Sequence, residues 1–394
     1  MTAISPFIWL CTVSLLARLS YQMARSPVLP RFAQELGAPP ELIGLILGAS
    51  TVTGVFFKLP AGALSDILGR RRMMLLGCLF FAFPPFLYPL VRDPISLLLL
   101  RFLHGFATAI FSPVASAFVA ELFQKGRGER LGWFASVTEM GSTLGPIAGG
   151  YALLYSASFK VTYLLVGILG LLPLIIMFAI PPGSPAPLPN PAGSRLRRFG
   201  EGIKEVFSDR SIVIASIMEA LMFLGVAALV GFLPLYARGR GLDDGQIGVI
   251  LGAQLVTAMA GKPITGRISD LVGRKPMIIA GLLLCAITLP AIVSVAKFWH
   301  LFALSALFGL GMAIVTPSTT ALVADLCRHR NYGSALGAFG TIWDVGEAGG
   351  PIIAGIMIAR IAYLPAFAII AFIIILGALI FAISVSDPSR EDKA

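Results

Sequence analysis

The sequence predicts an all-α membrane protein of twelve transmembrane helices in two pseudo-symmetric six-helix bundles. Three observations carry this expectation. Hydrophobic residues make up 57% of the 394 and charged residues only 13%, where a soluble domain carries about a quarter charged. Apolar windows long enough to cross a bilayer recur along the whole chain. The chain also repeats itself at a fixed offset.

The composition comes first because it sets the solvent. No soluble core hides this much apolar surface, so lipid must cover it. The sequence pI near 9.7 is not the mark of a nucleic-acid partner, because the basic residues sit in short clusters between apolar spans and act as topology signals. Cys11, Cys78, Cys285 and Cys327 lie mostly in or beside apolar stretches without metal-ligand spacing. They read as small buried residues, and no metal site is expected. No basic region precedes the first apolar run, so that run is expected to be a retained helix rather than a cleaved leader.

The expected spans are 7–29, 41–64, 73–91, 95–122, 131–155, 161–180, 211–235, 246–267, 277–296, 299–323, 334–358 and 362–384. Gly and Pro inside them are tolerated in lipid, and Gly permits close helix packing. Basic residues cluster in alternate loops: Arg70–Arg72, then Lys125, Arg127 and Arg130, then Arg195 to Arg210, Arg274–Lys275, Arg328 with Arg330, and the tail. These positions hold seventeen basic residues, and the opposite loops hold seven. The bias predicts that both termini are cytoplasmic. The Pro-rich stretch Pro181–Pro191 and the basic segment after it form the one long connection. It reads either as a leader into a short interfacial helix or as a plain flexible linker. The expected domains are therefore 1–180, a connector at 181–210, and 211–394.

The repeat justifies the two bundles. Leu29–Arg71 aligns without gaps onto Leu233–Lys275, with 18 of 43 positions identical. The matches include Pro30/Pro234, Lys58/Lys262, Asp66/Asp270 and Arg70/Arg274, all 204 residues apart. Apolar low complexity does not produce paired Pro, Lys, Asp and Arg at one offset. Pro113/Pro317 and Glu121/Asp325 keep the same offset, and at 205 come Glu139/Asp344 and Gly145-Pro146/Gly350-Pro351. A doubled six-helix unit is the arrangement of a transporter with its site at the repeat interface. A channel is disfavoured, because neither a filter nor a charged ring is visible.

Three motifs narrow the reading. The loop motif runs Gly62, Asp66, Gly69, Arg70, Arg71, with a second copy at Gly266, Asp270, Gly273, Arg274 and Lys275. Its glycines permit a tight turn and close contact, its carboxylate can meet a helix N-terminus, and its arginines fix the loop inside. This pattern between the second and third spans resembles the signature of the major facilitator superfamily, and the resemblance covers nearly the whole chain. Arg101-Phe102-Leu103-His104-Gly105, followed by Ser112-Pro113, resembles the fourth-helix motif of its drug/proton antiporters, with His104 in place of Gln. Gly141-Ser142-Thr143-Leu144-Gly145-Pro146-Ile147-Ala148-Gly149-Gly150 resembles the fifth-helix antiporter motif. The resemblance implies proton-coupled export of a small amphipathic compound by alternating access, by a monomer in a cell inner membrane. Small-molecule substrate and lipid are the expected partners. Protons are the expected coupling ion, and no cofactor or nucleic acid is expected. The first helix departs from the family: many drug exporters carry Asp there, and this chain has Arg18 and Arg25.

Ionisable residues within spans are costly and face cavities or partners. Arg18, Arg101, His104 and Glu219 are the candidates for substrate binding or proton coupling. A static Arg18–Glu219 pair is the plainer alternative, as is simple packing of His104 against Arg101. Lys58 with Asp344, and Lys262 with Glu139, are expected to form an interdomain gate related by the repeat. Snorkelling of each lysine is the rival reading. Intramembrane Arg and Lys outnumber acids by five to four among Arg18, Arg25, Lys58, Arg101, Lys262, Glu139, Glu219, Asp344 and Glu347. That keeps uptake or exchange of an organic anion or nutrient open. A transporter-like receptor and an enzyme are weaker readings, because no signalling domain or catalytic cluster is visible.

Overall fold

A computed structural model describes residues 4–123, 126–179, 210–326 and 332–385. Fourteen α-helices run through them. They are α1 (Ile4–Arg25), α2 (Val28–Glu35), α3 (Pro40–Leu68), α4 (Arg70–Ala82), α5 (Pro84–Leu87), α6 (Pro94–Leu122), α7 (Arg127–Ser156), α8 (Phe159–Ala179), α9 (Arg210–Gly239), α10 (Asp244–Val272), α11 (Arg274–Ile292), α12 (Phe298–Leu326), α13 (Tyr332–Ile361) and α14 (Tyr363–Ser384). The connector at 181–210 lies outside the described residues apart from Arg210. So do Lys125, Cys327, Arg328, Arg330, Arg390 and Lys393.

The helices overshoot the expected spans by a few residues at most ends. Hydropathy marks the hydrocarbon layer, about 30 Å thick, while a 29-residue helix such as α3 is about 44 Å long at 1.5 Å per residue. Polar ends carrying Asp66, Glu129 or Asp270 continue the helices past the apolar spans. Among the described residues, eleven helical segments are long and apolar enough to cross a membrane, the first joining α1 to α2 and the third joining α4 to Leu90. The chain is therefore a multi-pass, all-α membrane protein. Helix α7 is long enough at 30 residues, but Arg127, Glu129, Arg130, Glu139 and its many glycines make it less apolar than its neighbours. The third expected span is broken after Ala82, because Pro84 and Pro85 offer no N–H to continue the ladder. Apolar side chains point outward along the spans, Ile383 reaching 87% exposure, as lipid-facing surface requires.

Two compact units divide the chain. Unit 1 holds the described residues of Met1–Ala38, Ala49–Arg195 and Asp243–Gly248, and unit 2 those of Pro39–Gly48, Leu196–Leu242 and Val249–Ala394. Unit 1 has an apolar core built from α1, α4, α6 and α8, including Leu10, Met74, Phe81, Phe111 and Met177. Asp93 caps α6, accepting from the Ile95 and Ser96 amides at 3.0 and 2.9 Å and from the Ser96 hydroxyl at 2.6 Å. The Ser96 hydroxyl is the largest influence holding this carboxyl below its ordinary range.

The sequence repeat reappears as repeated contacts. A Cβ on Gly105 would fall 2.8 Å from Ser50 Cα, and on Gly309 2.9 Å from the Gln254 carbonyl carbon. Both members of each pair are 204 residues apart. A Cβ on Gly141 would fall 2.3 Å from Leu15 O, and on Gly346 2.1 Å from Ala220 O, here at an offset of 205 for both members. The packing of α1 on α7 in unit 1 is thus replayed by α9 on α13 in unit 2.

Candidate functional site

The loop motif forms one triad in each unit. Gly69 and Gly273 separate α3 from α4 and α10 from α11 with φ of 92° and 110°, a region that favours glycine. That turn carries Arg70 back onto Asp66 in an ion pair, and Arg70 also reaches Glu121 at 2.8 Å. In unit 2 Arg274 pairs with Asp270 and reaches Asp325 at 3.3 Å. Arg71 donates to the Phe178 carbonyl at 3.2 Å. At Gly62 an added Cβ would meet nothing within 4 Å, and at Gly266 only Pro317 at 3.7 Å. Close helix contact therefore plays no part at Gly62.

The antiporter-like motif on α7 works differently. Gly141, Gly145 and Gly149 face α1, and a Cβ at each would lie 2.3 Å from Leu15 O, 2.4 Å from Gln22 Cβ and 2.7 Å from Met23 O. Gly150 faces Asp244 O, with 2.4 Å left for a Cβ. Within this unit Arg31 also forms an ion pair with Asp244. Beside the glycines runs a polar edge. Ser14 and Thr138 share a hydrogen bond at 2.6 Å, and Arg18 Nε donates to Ser142 Oγ at 3.0 Å.

Arg101 is fully buried in unit 1. Its guanidinium lies 4.8 Å from the centre of the Tyr21 ring, a cation–π contact. His104, one turn on, shares a hydrogen bond between Nδ1 and the Tyr88 hydroxyl at 3.1 Å, and Tyr88 stacks on Tyr163 at 4.2 Å. Neither the three guanidinium nitrogens nor His104 Nε2 has a hydrogen-bond partner among the described residues. Arg101 and His104 thus share one aromatic cage, while Arg18 has a separate partner, Ser142 on α7.

Unit 2 holds the acidic counterpart. Glu219 on α9 is fully buried, and its Oε2 accepts from Thr319 Oγ1 at 2.5 Å. Thr319 lies 3.0 Å from the Val315 carbonyl as well. Lys262 lies half-buried in the same unit. Asp344 is buried and accepts from Trp343 Nε1 at 2.9 Å. Lys58 and Glu139 lie half-buried in unit 1. Several members of these clusters gave no signal in the sequence. Tyr21, Tyr88 and Tyr163 come from separate helices, and Thr319 is one hydroxyl in a run of Ser and Thr. Glu121 and Asp325 did carry a signal, since they recur at the offset of the Asp–Arg pairs they join.

The family model described as Major Facilitator Superfamily matches residues 10–245 and again 215–394. The chain belongs to that superfamily. Its members are transporters rather than enzymes, so the chain is a membrane-embedded transporter of small molecules. An uncharacterized MFS-type transporter of Methanocaldococcus jannaschii is 26% identical over 346 residues, covering 86% of this chain and 87% of that one. Multidrug resistance protein 1 of Bacillus subtilis is 23% identical over 342 residues, covering 84% of each. Among solved structures, a nucleoside transporter superposes with a TM-score of 0.82 at 14% identity, covering 96% of this chain and 99% of that one. A D-xylose–proton symporter gives 0.79 at 15% identity, with 96% and 98% covered. At such identity these two share the fold alone.

Proposed function

We propose that this chain is a twelve-span, proton-coupled exporter of a small amphipathic compound, working by alternating access as a monomer. On this reading it sits in a cell inner membrane with both termini cytoplasmic. The observation that carries the reading is Glu219, a fully buried carboxyl inside a span with a hydroxyl at 2.5 Å. A hydroxyl can both donate and accept. With Glu219 ionised, Thr319 donates to it. With Glu219 protonated, Glu219 donates to Thr319, whose own proton turns to the Val315 carbonyl 3.0 Å away. The site therefore serves both protonation states without moving a helix, which is what a coupling carboxyl needs. Arg101 supplies a fixed buried positive charge in unit 1. The relationship to a multidrug resistance protein and the antiporter-like glycines on α7 support export.

The test is flux in proteoliposomes under an imposed pH gradient. Wild-type protein should move substrate against its gradient, with protons flowing the other way. E219Q and R101A should each abolish the gradient-driven component. Substrate and protons moving in the same direction, or full gradient-driven flux in both variants, would reject the reading. A second reading, uptake or exchange of an organic anion or nutrient, is favoured by one observation, the presence of Arg18 and Arg25 within α1.

A further inference from the structure

Arg101 and His104 lie one turn apart on α6, so they share one face of that helix. Both are fully buried. Three buried tyrosines gather there: Tyr21 from α1, Tyr163 from α8, and Tyr88 from the turn after α5. The guanidinium lies 4.8 Å from the centre of the Tyr21 ring. None of its three nitrogens meets a hydrogen-bond acceptor, and it pairs with no carboxylate among the described residues. His104 adds a fourth nitrogen of this kind, its Nε2, while its Nδ1 lies 3.1 Å from the Tyr88 hydroxyl. In the tautomer that takes the Tyr88 proton into a bond at Nδ1, Nε2 carries the imidazole N–H and is a donor as well.

The repeat tests whether the fold needs this cation. Gly105 packs on Ser50 as Gly309 packs on Gln254, with both members of each pair 204 residues apart. At that offset Arg101 corresponds to Ser305 and His104 to Phe308. The crossing of α3 and α6 is therefore replayed by α10 and α12 around neutral side chains. A guanidinium does not shed its proton in a protein, so Arg101 cannot meet burial by becoming neutral. The Tyr21 ring offsets part of the cost, because the face of an aromatic ring attracts a cation. Water could satisfy the N–H groups, but it would leave the charge uncompensated. An anion answers both needs. The enclosure also limits its size. Arg101, His104, Tyr88 and Tyr163 have no exposed surface, so the occupant has few atoms, enters as a ring turns aside, and carries no organic body.

We infer that the Arg101–His104 cage of unit 1 is a binding site for a small monovalent inorganic anion of the halide class. Arg101 supplies the charge and a fixed fan of N–H donors. The anion selects the His104 tautomer that donates from Nε2 and accepts from Tyr88 at Nδ1. With the ion bound the cage is neutral. The inference goes beyond the transport reading, and it stands whichever way substrate and protons move.

The experiment is an equilibrium one. Full-length protein in nanodiscs of uncharged lipid is heated while sodium gluconate is replaced stepwise by sodium chloride or bromide at constant ionic strength. A ligand that binds the folded state raises the unfolding midpoint with concentration. Chloride and bromide should do so in the wild type, and gluconate, with its organic body, sets the baseline. R101Q should weaken the apparent chloride affinity at least about tenfold. R101K keeps the charge and should restore part of it, and H104F, which copies the other half at this position, should weaken it several-fold. General effects of salt are common to all variants, so the difference between variants reads the cage. Equal wild-type midpoints in chloride and gluconate would leave water as the occupant and overturn the inference. Wild-type chloride affinity in R101Q would do the same. Where R101Q shows no cooperative transition, wild-type affinity in both R101K and H104F is the overturning result. No gradient is imposed, so a failure of proton coupling in proteoliposomes leaves this result standing, and the reverse is equally true.

Discussion

Replacing Gly141 or Gly346 with alanine should pull apart the same helix crossing in each unit. A Cβ at Gly141 would sit 2.3 Å from Leu15 O and one at Gly346 2.1 Å from Ala220 O. Close C–H···O contacts run to about 3.3 Å, so each crossing must open by about 1 Å or distort. Overpacking of this kind costs about 1–3 kcal/mol. Alanine returns about 0.5–1 kcal/mol relative to glycine in a helix, which leaves a net loss of up to about 2.5 kcal/mol. The controls are built in. At Gly62 nothing lies within 4 Å, and at Gly349 the nearest atom is Ile353 Cδ1 at 3.9 Å. G62A and G349A should therefore be neutral or stabilising. Thermal unfolding in nanodiscs reads the order directly: G141A and G346A below wild type by a few degrees, G62A and G349A at or above it. If all four variants unfolded together, the glycines would be acting through helix propensity alone, and the contact argument would fail.

Four further outcomes are expected. The charge swap K58D/D344K should recover part of the transport lost in K58D and D344K alone. A double-mutant cycle with no coupling energy between those positions would end that proposed gate, and K262D/E139K tests its repeat mate. E121Q should loosen the loop motif about as much as D325N does, because each acid completes an equivalent triad. Spin-label distances across Arg70 and Arg274 would show equal broadening, and an effect in one unit only would contradict the equivalence. Asp93 has a lowered folded value, so its cap contributes above the ordinary aspartate range and is lost as pH falls through that lowered value. Protection of the Ile95 and Ser96 amides, measured against their intrinsic exchange rate at each pH, should fall only in that acid window. D66N should shift the inward–outward distribution in spin-label measurements if Asp66 braces the cytoplasmic side, and an unchanged distribution would end that role.

Much of this architecture was legible because the sequence carries two independent records of it. Hydropathy marked where lipid must be, and the repeat marked which residues are equivalent. Hydropathy failed where chemistry and architecture share a helix. Helix α7 carries Glu139 and a run of glycines, so its apolar signal is weak although it is as long as its neighbours. The helix ends were not legible from hydropathy, because polar residues such as Asp66 and Glu129 continue the helices past the apolar spans. The charged candidates were legible one by one, since an Arg or Glu inside a span is conspicuous. Their surroundings were not. The Arg101 cage draws Tyr21, Tyr88 and Tyr163 from three helices, and a tyrosine near the end of a span reads equally well as an interface anchor. Thr319 could not be told from Thr316 or Thr320 until α12 was placed against α9.

The repeat also separates architecture from chemistry. What both halves keep is structural: the glycine crossings at Gly141 and Gly346, those at Gly105 and Gly309, and the Asp–Arg–acid triads at Arg70 and Arg274. Each recurs with both of its partners shifted by the same offset, so each is required by the six-helix unit itself. What only one half keeps cannot be required in that way. Arg101 corresponds to Ser305, His104 to Phe308, Arg18 to Phe223, and Glu219 to Ser14. The unit folds with either set. A buried Arg or Glu in lipid is retained only where something offsets its cost, and the other half shows that folding does not. The single-copy charges are therefore the places to look for substrate and coupling ion. The two-copy residues are the places where mutation should change stability or conformational balance and leave substrate preference alone.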